Sequence, residues 1–282
     1  MSGRTRVAGV IGYPVRHSLS PALHNAAFAA LGLDWVYAAF EVPAGAGGDA
    51  VAAMRALGIE GLSVTMPHKD AAAAACDELS ATAMLLGAVN CIRRDGSRLI
   101  GENTDGTGFI RSLREQAGME PTGRRAVVLG AGGAARAVVV ALAAHGASVT
   151  VVNRSAAAAE RTAEVGNVAA SAAGTSQGSV SVGTAEAVRD ADLVVNATPL
   201  GMAHNDPLPT DPALLGEGQT VTDLIYRPQR TPFLDAAARA GATTLNGTGM
   251  LLFQAAEQFT MWTGHAAPVD AMAAAVGLAI AG

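Results

Sequence analysis

Aromatic residues are scarce: two Trp, three Tyr and six Phe make up 4% of a 282-residue chain. Half of the residues are nonetheless hydrophobic, so a core exists and is expected to be built of Ala, Val, Leu and Met. Cysteine is scarcer still. Cys76 and Cys91 are the only two, and no C-x-x-C spacing occurs, which argues against a zinc ribbon or a disulfide framework and leaves two structural thiols. No metal site is expected. A basic excess is also missing. Nineteen Lys and Arg against twenty-four Asp and Glu give a formal net charge of −5, with no basic stripe to hold nucleic acid. Long apolar runs are absent: residues 7–11, after Arg4 and Arg6, are too short for a signal segment, and nothing approaches a membrane span. The expectation is a cytoplasmic protein of two ordinary domains that takes a small-molecule substrate, not nucleic acid or membrane.

What is present alternates. Short apolar runs at 7–12, 35–42 and 59–65 read as strands, with helices at 22–31, opened by Ser20-Pro21, and at 49–57, closed by Gly58. That order predicts an α/β fold with a mostly parallel sheet. Asp95-Gly96 between two β-prone runs reads as a two-residue hairpin turn. Counting outward from it sets Asn90 opposite Gly101, so Asn103-Thr104-Asp105 leaves the hairpin at the end where Asn90 stands. After an amphipathic segment at 109–116 and a linker-like Pro121-Thr122-Gly123, a second α/β unit begins. Its further strands are expected at 148–153, 192–198 and 221–226, with helices at 156–165 and 232–241. The small-residue stretch 169–179 reads as loop, and apolar helices at 250–262 and 269–280 end the chain.

The second unit is organised around Val127-Val128-Leu129-Gly130-Ala131-Gly132-Gly133-Ala134-Ala135. A β-branched run, a glycine turn and a helix start form the layout that binds a dinucleotide pyrophosphate. Gly130 allows the turn, Gly132 lets backbone N–H groups approach phosphate, and the helix N-terminus adds donors and partial positive charge. At the end of the second strand, an acid would accept from a ribose 2′-OH; Asn153-Arg154-Ser155 stands there instead. A guanidinium with two short polar neighbours suits a 2′-phosphate, so NADP is the expected cofactor.

The first unit supplies polar residues at strand and helix ends. Ser18 and Ser20 bring two hydroxyls to a helix start, where free N–H groups make a carboxylate seat. Ser20 alone also serves as an N-cap. Thr65, His68 and Lys69 follow the third strand, at the edge where open α/β sheets bind ligands. A lysine there with an acidic partner can exchange a proton with a substrate hydroxyl and steady an alkoxide. His68 competes for the acid/base role but is read as flanking it.

In these motifs the chain resembles the shikimate dehydrogenase family. The resemblance runs in order through Ser18-Leu19-Ser20-Pro21, Val64-Thr65-Met66-Pro67-His68-Lys69, Gly87-Ala88-Val89-Asn90 and Asn103-Thr104-Asp105-Gly106. It continues with the Gly130 turn, Asn153-Arg154-Ser155, Asn196-Ala197-Thr198-Pro199-Leu200-Gly201 and Met250-Leu251-Leu252-Phe253-Gln254-Ala255-Ala256. It implies an NADP-dependent enzyme that reversibly reduces 3-dehydroshikimate to shikimate, on the chorismate route to aromatic amino acids. The implied organisation is a substrate domain at 1–105, a Rossmann-type NADP domain at 106–246, and helices at 247–282 returning to the first domain, with a cleft between the two domains.

Lys69 and Asp105 are the implied catalytic pair. Ser18, Ser20 and Tyr226 would hold the substrate carboxylate, and Thr65, Asn90 and Gln254 its hydroxyls. The implied NADP contacts are Gly130, Ala131, Gly132, Gly133, Ala134, Ala135, Asn153, Arg154, Ser155, Thr198, Leu224 and Gly247. Monomer and homodimer both remain open. One position departs from the family: its usual Asn-Val-Thr run is Ser63-Val64-Thr65 here, and the lost amide would help order Asn90 or the substrate. A quinate or aminoshikimate dehydrogenase of the same family is therefore an alternative, although Ser20 and the missing acid near Asn153 argue against quinate. A ligand sensor without turnover is a third reading, opposed by the intact Lys69 and Asp105.

Overall fold

The computed structural model describes residues 1–203 and 205–278, and the chain divides into two compact units. Met1–Thr104 and residues 252–278 form the first; Asp105–Leu251 forms the second. The change of unit at Thr104 comes before Pro121-Thr122-Gly123, which lies inside the second unit and is not the linker the sequence suggested.

The first unit runs β1 (Arg6–Gly12), α1 (Ser20–Ala30), β2 (Trp35–Glu41), α2 (Gly47–Leu57), β3 (Gly61–Val64), α3 (Lys69–Ala75), β4 (Glu78–Leu79), α4 (Ala81–Leu86), β5 (Cys91–Asp95) and β6 (Arg98–Glu102). Its six-stranded sheet has the order β2-β1-β3-β5-β6-β4. Three pairings are parallel, while β3–β5 and β5–β6 are antiparallel because the hairpin folds back into the sheet. The sheet is therefore mixed. Asp95 pairs with Arg98, so the turn is Gly96-Ser97, with only Gly96 at positive φ (+61°) as a type II′ turn requires. The register shifts by two residues from the sequence count: Cys91 pairs with Glu102, and the Asn90 N–H bonds the Glu102 carbonyl at 3.0 Å. The shift keeps every side chain on its expected face, because it is even.

The scarce aromatics concentrate here. Phe28, Trp35, Tyr37, Phe259 and Trp262 form one linked stack, with Tyr37 parallel to the His24 ring at 4.4 Å and Trp262 at 5.0 Å from it. His24 is fully buried and neither ring nitrogen has a hydrogen-bond partner. Burial among uncharged rings pushes its pKa from 6.5 down to about 3. In the unfolded chain the ring protonates near pH 6.5, so its neutral burial costs nothing above that pH and progressively more as pH falls toward 3. Lowering the pH from 6.5 to 5 removes about 2 kcal/mol through this group. Urea unfolding at both pH values is expected to show the loss in the native protein and a smaller one in His24→Leu; identical pH slopes exclude His24 as the cause.

The second unit runs α5 (Asp105–Ala117), β7 (Arg125–Leu129), α6 (Gly133–Ala144), β8 (Ser148–Val152), α7 (Ala156–Ala172), β9 (Ser179–Val182), β10 (Leu193–Asn196), β11 (Thr220–Asp223), α8 (Pro232–Arg239) and β12 (Thr243–Leu245). The sheet order is β12-β11-β10-β7-β8-β9, parallel throughout. This is the doubly wound order with its reversal between β7 and β10, where such sheets bind ligands. Here the core follows composition, with Val128, Val138, Val139, Leu142, Val151 and Leu193 packed together. The stretch read as loop is partly structured: α7 continues to Ala172, Gly174 follows at φ +66°, and β9 starts at Ser179. Alanine and serine do not stop a helix; the glycine after it does.

Finally α9 (Thr248–Thr263) passes from the second unit into the first, and α10 (Val269–Ala275) follows. α10 ends at Ala275, short of the helix expected at 269–280, of which 279 and 280 lie outside the described residues. In the first unit the Trp262 indole N–H donates to the Ile92 carbonyl at 3.0 Å, fastening α9 to β5. Among the described residues, no helix is long and apolar enough to cross a membrane.

Candidate active site

In the first unit the two serines divide their work. The Ser18 hydroxyl accepts from the Ser20 amide at 3.2 Å, so Ser18 caps the turn. Ser20 is the first helical residue of α1, not its N-cap, and is buried. Thr65 directly follows β3, with its amide on the Ile11 carbonyl at 3.0 Å. Lys69 opens α3, and its carbonyl takes the Val89 amide at 3.1 Å, which ties the helix start to the segment leading into Asn90. His68 is buried and its Nε2 bonds the Val42 carbonyl at 2.8 Å, a structural engagement that fits a flanking role.

Asn90 and Thr104, fourteen residues apart, meet as the hairpin predicts. The Asn90 Oδ1 accepts the Thr104 amide at 2.8 Å and its Nδ2 donates to the Thr104 hydroxyl at 3.1 Å. Gln254, on α9, is buried despite interrupting an apolar helical run. Its carbonyl accepts from the Thr104 hydroxyl at 3.3 Å, and its side-chain oxygen accepts from Gln258 Nε2 at 2.6 Å. Asn90, Thr104 and Gln254 thus form one buried polar cluster. Gln258 and Tyr37 belong to it and were not expected from the sequence. Gln258 left a signal, as a second amide one helical turn beyond Gln254; Tyr37 left none.

Asp105 is buried and opens α5, the residue after Thr104. Also in the second unit, Tyr226 is half-buried on the segment after β11, and burial raises its phenol pKa. Asp223, at the end of β11, is fully buried, and burial raises its pKa. Its carboxyl receives the Asn196 amide at 3.1 Å, the Thr231 hydroxyl at 2.7 Å and the Ile225 N–H at 3.1 Å. This cluster ties together the segments that follow β10 and β11. Asn196 Oδ1 in turn accepts from the Thr198 hydroxyl at 2.7 Å. Gly247 lies against the Leu224 carbonyl so closely that a Cβ there would overlap it.

The glycine turn sits at the same reversal. Gly130 has φ +116°, and a Cβ on it would stand 3.0 Å from the Ala197 carbonyl and 3.2 Å from the Thr198 methyl. The fold itself requires this glycine. Gly132 and Gly133 differ: neither has positive φ, and a Cβ on either meets nothing within 4 Å. The protein's own packing does not ask for glycine there; an open turn of this kind is what close approach of a phosphate would need. Gly132 precedes α6 with no side-chain cap and no acid in the first turn. Ala131, Ala134 and Ala135 complete the turn, Ala135 fully buried between helix and sheet.

Gly132→Ala is expected to change stability by less than about 0.5 kcal/mol and to raise KM for NADP about tenfold, whereas Gly130→Ala is strained and destabilises the unit. Thermal melts beside NADP titrations check it; an unchanged KM for Gly132→Ala excludes close ligand approach at that residue.

Asn153, Arg154 and Ser155 follow β8. Ser155 is the N-cap of α7, its hydroxyl accepting from the Ala158 amide at 3.3 Å, while Asn153 Nδ2 donates to the Ser155 carbonyl at 3.1 Å. Arg154 is exposed, and no acid lies in the first turn of α7. Among the described residues no group of three or more His, Cys, Asp or Glu is placed to hold a metal ion. Both cysteines are free thiols, and burial raises the Cys76 pKa to about 11 and that of Cys91 further.

Comparison with known proteins bears directly on this arrangement. The family described as Shikimate dehydrogenase substrate binding domain matches residues 10–92, and Shikimate 5'-dehydrogenase C-terminal domain matches 247–276. A shikimate dehydrogenase (NADP(+)) of Methanopyrus kandleri is 48% identical, over 98% of this chain and 96% of its own. The chain belongs to the shikimate dehydrogenase family. Among solved structures, a shikimate 5-dehydrogenase from Thermus thermophilus in complex with NADP(H) and shikimate superposes with a TM-score of 0.87 at 36% identity, covering 96% of this chain and 98% of that one. A quinate dehydrogenase from Corynebacterium glutamicum in complex with NAD superposes nearly as well, with a TM-score of 0.86 at 33% identity and the same coverage. Within the shikimate dehydrogenase family, fold alone does not choose the substrate; the side chains must.

Proposed function

We propose that the protein is a cytoplasmic, NADP-dependent shikimate dehydrogenase that reversibly reduces 3-dehydroshikimate to shikimate on the route to chorismate and the aromatic amino acids. One observation carries the reading: 48% identity, over 98% of the chain, to a protein named for that activity. In this reading residues 1–105 bind and transform the substrate, 106–246 bind the dinucleotide, and 247–282 return to the substrate domain.

Ser18, Ser20 and Tyr226 hold the substrate carboxylate, helped by the N–H donors at the start of α1. Thr65, Asn90 and Gln254 bind the hydroxyls that do not react. Lys69 and Asp105 act on the hydroxyl that does: in the oxidative direction the pair takes its proton, and the ammonium steadies the developing alkoxide. Bound NADP supplies the hydride acceptor, or the donor in reverse. Gly130 to Ala135 seat its pyrophosphate, Arg154 with Asn153 and Ser155 its 2′-phosphate, and Thr198, Leu224 and Gly247 border the remainder.

The test is a spectrophotometric screen of shikimate, quinate and aminoshikimate, each with NADP and NAD. The fastest reduction is expected with shikimate and NADP. Preference for quinate with NAD overturns the substrate assignment, and flat traces from folded protein make the chain a sensor.

A further inference from the structure

Ser63, the position where the family usually carries asparagine, is not an isolated loss. Its side chain is buried between two others, and each contact has a fixed direction. The Tyr37 phenol donates to the Ser63 hydroxyl at 2.6 Å. That hydroxyl spends its single proton on Gln258 Oε1 at 2.5 Å. With its oxygen on Ser63, the Gln258 amide turns its NH₂ toward Gln254 Oε1 at 2.6 Å, the Thr104 hydroxyl at 3.2 Å and the Asn90 carbonyl at 3.4 Å. In this orientation each contact of the Gln258 amide pairs a donor with an acceptor.

We propose that Gln258 is a positioning residue for the two amides that bind substrate hydroxyls, and that Ser63 and Gln258 act as one unit, the Gln258 amide standing in for the one Ser63 lacks. The proposal rests on the reading of Asn90 and Gln254 as substrate contacts. Gln258 reaches both. It holds the Gln254 oxygen directly, and through the Thr104 hydroxyl it shares an acceptor with Asn90 Nδ2. An oxygen engaged inward commits the Gln254 NH₂ to its other partners, so the substrate hydroxyl there is recognised as an acceptor. Gln258 is almost completely buried, so truncating it leaves partners unsatisfied and not merely re-solvated. An asparagine at 63 has two more side-chain heavy atoms than serine, reaches one bond further, and competes with Gln258 for the same space; shortening Gln258 returns that space.

The experiment compares Gln258→Leu, Gln254→Ala, their double variant, and the pair Ser63→Asn with Gln258→Ala, in the full-length enzyme. Melting temperature, kcat, and KM for shikimate and for NADP are read for each. Gln258→Leu is expected to raise KM for shikimate about tenfold, with kcat and KM for NADP changed less than about threefold. In the Gln254→Ala background it is expected to cost less than in the native enzyme, because the part of its effect that passes through Gln254 is already gone. The Ser63→Asn/Gln258→Ala enzyme is expected to bind shikimate better than either single variant.

A folded Gln258→Leu enzyme with unchanged KM for shikimate, beside a Gln254→Ala enzyme with raised KM, overturns this proposal alone. Full additivity of the two changes also overturns it. Unchanged KM in Gln254→Ala overturns the substrate role of Gln254 itself. Should Gln258→Leu not fold, the Ser63→Asn pair decides: a double variant no better than the worse single overturns the unit.

Discussion

Lys69→Ala is expected to lower turnover by about two orders of magnitude or more, the usual cost of losing a positioned acid/base, while the protein stays folded. The two halves of that statement have separate causes. Lys69 begins α3, and what holds the local structure is its main chain: the carbonyl receives the Val89 amide, and the helix behind it is a run of alanines. Alanine is at least as good a helix former as lysine, so the substitution leaves that framework in place. The ammonium belongs to the chemistry. Without it the alkoxide that develops when the substrate hydroxyl loses its proton has no cation to steady it, and Asp105 is left to manage the proton alone. His68, one residue earlier, is buried with its Nε2 on the Val42 carbonyl. Steady-state rates with saturating shikimate and NADP check the prediction. Turnover within threefold of the native enzyme removes Lys69 from the catalytic pair.

Much of the framework around that lysine could be read in advance. Strand–helix alternation and the glycine turn depend on local chemistry, and local chemistry is written in adjacent residues: Gly130 adopts the positive φ that the turn demands. The meeting of Asn90 with Thr104 was legible for a similar reason, because a hairpin relates its two arms by counting. The count slipped by two because Asp95 pairs with Arg98 instead of entering the turn. Asp-Gly suits a type I′ turn, but only Gly96 takes positive φ, and a type II′ turn needs just one such residue, at its first central position.

What could not be read depends on distance along the chain. Ser63 meets Gln258 across 195 positions, and no local pattern marks either as the other's partner. Tyr37 looks like an ordinary aromatic on a β-rich strand until α1 lays His24 over its ring and β3 brings Ser63 to its hydroxyl. Composition misled in one respect. A chain with 4% aromatics suggested an aliphatic core throughout, yet five of its aromatics share one cluster in the first unit. Few residues of a type is not the same as an even spread of them. The asymmetry also fits the chemistry, since that cluster backs the polar network around Asn90, whereas the second unit packs helices onto a parallel sheet mainly with Ala, Val and Leu, beside Phe109 and Phe233.

Arg154→Ala is expected to weaken NADP by about ten- to a hundredfold while changing NAD by less than about threefold. The reasoning runs through what its neighbours are already doing. Ser155 uses its hydroxyl to cap α7, and Asn153 turns its amide onto the Ser155 carbonyl. Those two side chains build the turn, and Arg154 is the cation it presents to solvent. No acid in the first turn of α7 competes for the guanidinium or repels a phosphate dianion. A ligand without the 2′-phosphate gains little from this arginine, so the loss must fall on NADP selectively. Parallel titrations of both dinucleotides measure the ratio. An equal loss for both would mean that Arg154 orders the loop instead of reading the phosphate, and the choice of NADP would then have to reside in Asn153 and Ser155.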